Sequence, residues 1–219
     1  MADNYLEKRY DEVFHSQKVR VKRVGPNVDE LLRRTRSVRG YNKAFVVSEE
    51  MLRRIAAVNS RIASARNQQV LRFRLVTRGP EADAILQHVR MGAALPELHL
   101  PFPGTEPEAF IVVCSTVDEN RMVDIDLGIS LQSMSLKAVE MGLATLIIAA
   151  FDHKAVADIL GLPYPPLMIL AVGKPAEQIE LVPVNDGDSL HYYRDEKGRH
   201  LVPKIKPDQL LIESLWPRD

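Results

Sequence analysis

Asp126-Leu127-Gly128-Ile129-Ser130-Leu131-Gln132-Ser133-Met134-Ser135-Leu136-Lys137-Ala138-Val139-Glu140-Met141-Gly142-Leu143-Ala144-Thr145-Leu146-Ile147-Ile148 passes from a helical period to a strand run at a single glycine. Leu127, Leu131, Met134, Ala138 and Met141 share one helical face, so the spacing predicts a helix over about 124–141. Gly142 closes it, and the apolar run that follows reads as a strand over 143–148. Gly128, Ser130, Ser133 and Ser135 keep other parts of that helix small, which suits close approach by a second helix. We read this as a helix–helix contact on a dimer axis.

The neighbouring segments extend the alternation in both directions. Upstream, Phe110-Ile111-Val112-Val113-Cys114-Ser115 is a buried strand; downstream, Asp152 caps a helix that ends at Gly161, and Pro163 prevents its continuation. A strand over 167–172 is stopped by Gly173 and Pro175. Nearer the amino end, Ser48 with Glu49 and Glu50 starts a helix whose stripe of Met51, Ile55, Val58 and Ile62 belongs to the core. Residues 71–77 alternate as a strand, with Leu71, Phe73 and Leu75 on one face. Pro80, Ala82, Ile85, Leu86 and Val89 signal another helix.

Three regions lie outside this alternation. Residues 4–22 form a polar, weakly periodic helix with Tyr5, Leu6, Tyr10, Val13 and Phe14 on its apolar side, so residues 1–27 read as an arm that packs on something else. Residues 95–108 hold Pro96, Pro101, Pro103, Pro107 and Gly104 and read as a long irregular loop, of a length that is often functional. From Ala176 the composition turns polar, with a hairpin around Asp195-Glu196-Lys197-Gly198. Residues 176–219 then form an extension that wraps the body or a partner subunit.

Composition removes several classes of function. Twenty-nine basic residues balance twenty-nine acidic ones, so no global field draws the chain to nucleic acid or an acidic membrane. The single cysteine, Cys114, excludes an internal disulfide framework and reads as a small buried hydrophobe. The amino end lacks a signal-peptide core, and no apolar run approaches the roughly 20 residues of a membrane span, so a soluble, cytoplasmic protein is expected. His15, His88, His99, His153, His191 and His200 are scattered, without metal-ligand spacing, and no P-loop or nucleophile elbow is present. If the chain is an enzyme, a bound cofactor does the chemistry.

Chemistry concentrates in Arg33-Arg34-Thr35-Arg36-Ser37-Val38-Arg39-Gly40-Tyr41, where four guanidinium groups and two hydroxyls fall within seven residues. Arg presents a rigid fork of donors at any working pH, so the cluster suits a phosphate monoester; the competing reading is a solvated basic turn. Ser64-Ala65-Arg66-Asn67-Gln68-Gln69 places amides between a helix end and a strand, where they serve as an ordinary turn or meet the donor–acceptor edge of a flavin.

In this order the segments resemble the FMN-dependent nitroreductase family. The resemblance runs through Arg36-Ser37-Val38-Arg39-Gly40-Tyr41, then Ser64 to Phe73, then Asp126-Leu127-Gly128 through Met141-Gly142-Leu143. It continues in Ile148-Ala149-Ala150-Phe151-Asp152, Gly161-Leu162-Pro163 and Ala171-Val172-Gly173-Lys174-Pro175, and the 192–204 tail is similar to that of a small bacterial branch. The resemblance implies an α+β fold with a mixed, mostly antiparallel sheet flanked by helices, in an intertwined homodimer. It divides the chain into the arm, an FMN-binding core over 28–175, and the extension.

The same resemblance implies that Arg36, Ser37 and Arg39 bind the phosphate and ribityl chain of FMN, with Arg39 near the pyrimidine edge and Lys204, together with Lys206, completing the clamp. Ser64, Ala65, Asn67 and Gln69 would come from the other subunit, and Ala149 and Ala150 would offer backbone N–H groups toward flavin N5 and O4. The implied activity is that of an NADH- or NADPH-dependent ping-pong oxidoreductase passing hydride through N5 to a nitroaromatic, quinone or similar small acceptor. Related flavin chemistry (reductive dehalogenation or flavin breakdown) and a non-catalytic anion- or RNA-binding protein are the alternatives. The chain departs from the family pattern at Thr35, at Val70 in place of a proline, and at Ala149 in place of a frequent Glu.

Overall fold

A computed structural model describes residues 25–92 and 100–212. The 4–22 helix and residues 95–99 of the proline-rich segment therefore lie outside the described residues. Helices α1 (Val28–Arg34), α2 (Glu49–Ala56), α3 (Pro80–Leu86), α4 (Arg121–Glu140) and α5 (His153–Leu160) surround a four-stranded sheet. Its strands are β1 (Leu71–Val76), β2 (Phe110–Ser115), β3 (Ala144–Ile148) and β4 (Pro166–Gly173), in the order β1-β2-β4-β3, and every pairing is antiparallel.

The two central strands explain the two cores. All six residues of β2 are buried, as its unbroken apolar run requires of a strand covered on both faces. On one face Ile111, Val113, Leu170 and Val172 meet Leu52 and Ile55 of α2 and Leu127, Leu131, Met134 and Ala138 of α4. On the other, Phe110, Val112, Ile169 and Ala171 meet Ala82 and Ile85 of α3 and Val156 and Leu160 of α5.

Helix ends follow local chemistry. α4 starts three residues before the apolar spacing predicts, because Asn120 Oδ1 accepts from Met122 N at 3.0 Å and Val123 N at 3.4 Å. Gly142, at φ +75°, turns the chain from α4 into β3, a conformation that a β-carbon disfavours. Asp152 caps α5 through Ala155 N at 2.9 Å.

α4 is apolar on nearly all sides. Beyond its core face it exposes Met122, Ile125 and Ile129, with Gly128 open between them. A helix of that kind normally lies between two packed bodies. Among the described residues no helix is long and apolar enough to cross a membrane.

The tail makes a second sheet: β5 (Ile179–Val184) runs parallel to β7 (His200–Ile205), and the short β6 (Tyr193–Arg194) pairs antiparallel with β7. The 195–199 turn has the foreseen hairpin character, with Asp195 Oδ1 accepting from Lys197 N at 3.0 Å and Arg199 N at 2.8 Å. β5 was not foreseen. Glu180 and Pro183 interrupt its pattern, and its pairing partner lies some twenty residues on.

Candidate active site

The Arg36–Tyr41 segment runs along the free edge of β3. Ser37 bridges Thr145 in parallel register, and Val38 N donates to Thr145 O at 3.0 Å. Val38 and Tyr41 are thereby sunk into the core, and the intervening Arg36, Ser37 and Arg39 are left at the surface of a cavity. Tyr41 OH donates to Val38 O at 2.8 Å, and its ring covers Gly173, where an added β-carbon would lie 2.5 Å from Tyr41 Cδ1. Burial raises the Tyr41 phenol far above its ordinary value, so it is a structural donor.

Glu177, in the turn before β5, fixes the same segment from below. Its side chain is buried; Oε1 accepts from Arg39 N and from Gly40 N at 3.2 Å, and Oε2 takes Arg194 Nη2 at 2.5 Å. A carboxylate so engaged holds the backbone of the Arg cluster and is itself neutralised by Arg194.

The cavity above, of about 180 Å³, is lined by Thr35, Arg36, Ser37, Arg39, Ile179, Tyr192, His200, Val202 and Lys204. The structure thus gathers four of the expected site residues, Arg36, Ser37, Arg39 and Lys204, around one space. Arg36 reaches the last turn of α1 through Leu32 O at 2.6 Å, and Arg39 lies 5.3 Å from the centroid of the Tyr192 ring. Among the described residues no carboxylate lines this space, and Arg36 Nε and Arg39 Nε are buried without hydrogen-bond partners. Burial pushes the Arg36 guanidinium below its usual value, a cost that an anion would offset. These orphaned donors, with a hydroxyl and an ammonium beside them, fit the phosphate of a mononucleotide.

The remaining expected residues stand elsewhere in the protomer. Ser64 and Gln69 line a cavity of about 440 Å³ with Asn59, Arg72, Asp126 and Ser130. There the buried Asp126 accepts from Ala65 N at 2.7 Å, and Ser130 Oγ donates to Asn59 Oδ1 at 2.6 Å. Gln69 Nε2 donates to Asn67 Oδ1 at 3.0 Å, and both side chains are exposed. Arg66, Asn67 and Gln69 take φ of 51°, 56° and 49°, a cluster of left-handed residues of the kind that collects at ligand clamps. Val70, where the family pattern has proline, is buried beneath them.

Ala149 and Ala150 are exposed just past the end of β3, and Ala150 lines a third cavity, of about 520 Å³, with His88, Arg90 and Phe151. Arg90 N bonds Ala150 O at 2.8 Å and Asp152 N bonds His88 O at 3.0 Å, which fixes this turn against the segment after α3. Cys114 takes no part in any of these sites. Burial pushes its thiol up to about 11, so it is not a nucleophile.

Asp126, Glu177, Tyr192 and His200 were not singled out from the sequence. Asp126 had one visible signal, a carboxylate flanked by core positions on an apolar helix. The other three gain meaning only from how the tail folds back.

The cation-lined cavity thus sits at the edge strand of an antiparallel sheet covered by helices, an α+β scaffold. Residues 32–174 match the Nitroreductase family, well over half of the chain, and the chain belongs to that family, whose members are generally oxidoreductases. No curated protein matches. Among solved structures, a nitroreductase family protein from Clostridium difficile 630 superimposes with a TM-score of 0.55 at 22% identity, covering 69% of this chain and 86% of its own. An FMN-dependent nitroreductase from Clostridium difficile R20291 gives 0.56 at 22%, covering 73% and 92%. A variant of the FMN- and NADPH-dependent nitroreductase NfnB from Sphigopyxis sp. strain HMH gives 0.58 at 20%, covering 69% and 89%. At these identities the likeness concerns the fold.

Proposed function

We propose that the protein is an FMN-dependent NAD(P)H oxidoreductase acting on nitroaromatic, quinone or similar small acceptors as a homodimer. The observation that carries this reading is the carboxylate-free cavity in which Arg36, Ser37, Arg39 and Lys204 converge with buried, unpaired guanidinium nitrogens. Arg36, Arg39 and Lys204 would hold the phosphate, Ser37 the ribityl chain, and Arg39 would place positive charge beside the pyrimidine edge. Ser64, Ala65, Asn67 and Gln69 of a second copy would line the ring, and the backbone N–H groups of Ala149 and Ala150 would face its reactive edge.

When bound, FMN supplies the hydride chemistry; the chain supplies binding, orientation and a charged wall. Two features support a site shared between copies. The expected residues line three different cavities of one protomer, and α4 exposes Met122, Ile125 and Ile129. The extension over 176–205 contributes Lys204 and buttresses the Arg cluster through Glu177, so we take it as part of the binding unit.

The test is optical and kinetic. Purified protein supplied with FMN should retain the flavin absorbance through gel filtration and oxidise NADH or NADPH when an acceptor is present. Arg36→Ala should lose most of the bound flavin. A protein that stays colourless in excess FMN, or an Arg36→Ala variant that keeps a full complement, would overturn the reading.

A further inference from the structure

The floor of the cation-lined cavity is a histidine. His200 is 2% exposed, and neither Nδ1 nor Nε2 has a hydrogen-bond partner among the described residues. It sits in the middle of the tail sheet, registered with Ile179 on β5 and Arg194 on β6. Its ring is tilted against Tyr192 at 5.0 Å between centroids, and Tyr192 in turn supports the Arg39 guanidinium. Buried polar groups are nearly always paired, so two orphaned ring nitrogens beside an anion pocket call for a physical reason. A residue serving only as packing would be better met there by Phe or Leu, which carry no polar group to leave unsatisfied.

We propose that His200 is a further phosphate-recognition residue that takes up a proton from solvent as a phosphate monoester enters, and holds it as an imidazolium. The inference rests on the cavity being the phosphate site of the proposed flavin reading. The groups around the ring set the direction. Arg39 faces it from the Arg segment and Arg194 from β6, while Arg36 and, from β7 itself, Lys204 share the cavity. Glu177 is the carboxylate acting on it, and Arg194 together with the N–H groups of Arg39 and Gly40 already engages that group. Glu180 and Asp195 are paired with Arg199.

With no ligand, burial and the neighbouring guanidinium groups keep the imidazole neutral. A phosphate dianion placed among Arg36, Arg39 and Lys204 reverses the local field and favours the protonated ring. Protonation also converts both ring nitrogens into donors, and the arriving ligand brings three acceptor oxygens.

Proton uptake is measurable without turnover. Nucleotide-free protein would be titrated calorimetrically with FMN, with phenyl phosphate and with riboflavin at pH 7.5, in two buffers of different ionisation enthalpy. At that pH a phosphate monoester is already a dianion, its second pKa being about 6, so the ligand itself contributes little. The expected result is uptake of up to about one proton per FMN or phenyl phosphate and none for riboflavin. FMN affinity should then weaken by as much as about tenfold per pH unit between the ligand-free and the bound-state titrations, and level off above the latter.

His200→Gln and His200→Phe, the latter keeping an aromatic ring against Tyr192, should abolish the uptake and flatten the pH dependence. Binding of FMN by the wild type without proton uptake would overturn the role of His200 and leave the flavin reading standing. Uptake with phenyl phosphate but no FMN binding would support His200 and count against the flavin reading. Binding of neither ligand would overturn both.

Discussion

Asp126 and Ala65 are sixty-one residues apart and joined by a 2.7 Å hydrogen bond from the Ala65 N–H to the buried Asp126 carboxylate. The bond ties the long helix α4 to the 64–69 turn. It holds one end of a loop that carries three left-handed non-glycine residues, while Gln69 N, bonded to Ser64 Oγ at 3.3 Å, closes the other.

Asp126→Ala leaves the part-buried Ala65 N–H without its partner. The expected cost is about 1–3 kcal/mol in chemical denaturation, with a weaker FMN complex because the loop loses its anchor. Asp126→Asn retains an acceptor and should lose less on both counts. A native-like midpoint for Asp126→Ala would show that water replaces the carboxylate.

Ile125 and Ile129 lie one turn apart on the exposed face of α4, beside Gly128. If that face forms the dimer axis, Ile129→Glu buries a carboxylate in an apolar contact. Light scattering should then report a monomer, and FMN should dissociate along with the partner. A dimeric Ile129→Glu protein that holds FMN normally would place the axis elsewhere.

Gly173 ends β4 under the Tyr41 ring, with no room for a β-carbon. Gly173→Ala should destabilise by roughly 1–3 kcal/mol through overpacking, seen as a lower Tm. The double variant with Tyr41→Leu should recover part of that loss, because the clashing ring atoms are gone. Recovery distinguishes steric conflict from any preference of the backbone itself.

His200 makes the ligand-free protein sensitive to mild acid. Burial lowers its proton affinity in the folded state below the ordinary 6.5, so the unfolded chain binds the proton first. Stability should therefore be full above about pH 6.5 and fall as pH drops below it, toward the folded-state titration. Asp195 and Glu106, whose folded carboxyls titrate below their ordinary values, act in a lower window. His200→Phe should remove the loss near pH 6 and leave the lower one intact, as read from urea midpoints between about pH 3 and 8.

Local chemistry made much of the core legible. The unbroken apolar run of β2, the glycine that closes α4 and the carboxylate that caps α5 act over a few residues, so their reading does not depend on the rest of the chain. The density of guanidinium groups over 33–39 was legible for the same reason, being a property of the sequence itself. β5 was hidden, since a strand carrying Glu180 and Pro183 becomes one only when β7 pairs with it in parallel.

By itself, then, the sequence determined which segments of the core are helix or strand, and which side chains could meet a phosphate. The tertiary structure alone decided that the tail returns to place Lys204, Tyr192 and His200 beside Arg36 and Arg39, and that Glu177 ties down the backbone between them. The reason is one of range. Helical and strand periods are set by neighbours a few residues apart, whereas the charge balance of a cavity is the sum of groups that only folding brings within a few ångströms of one another.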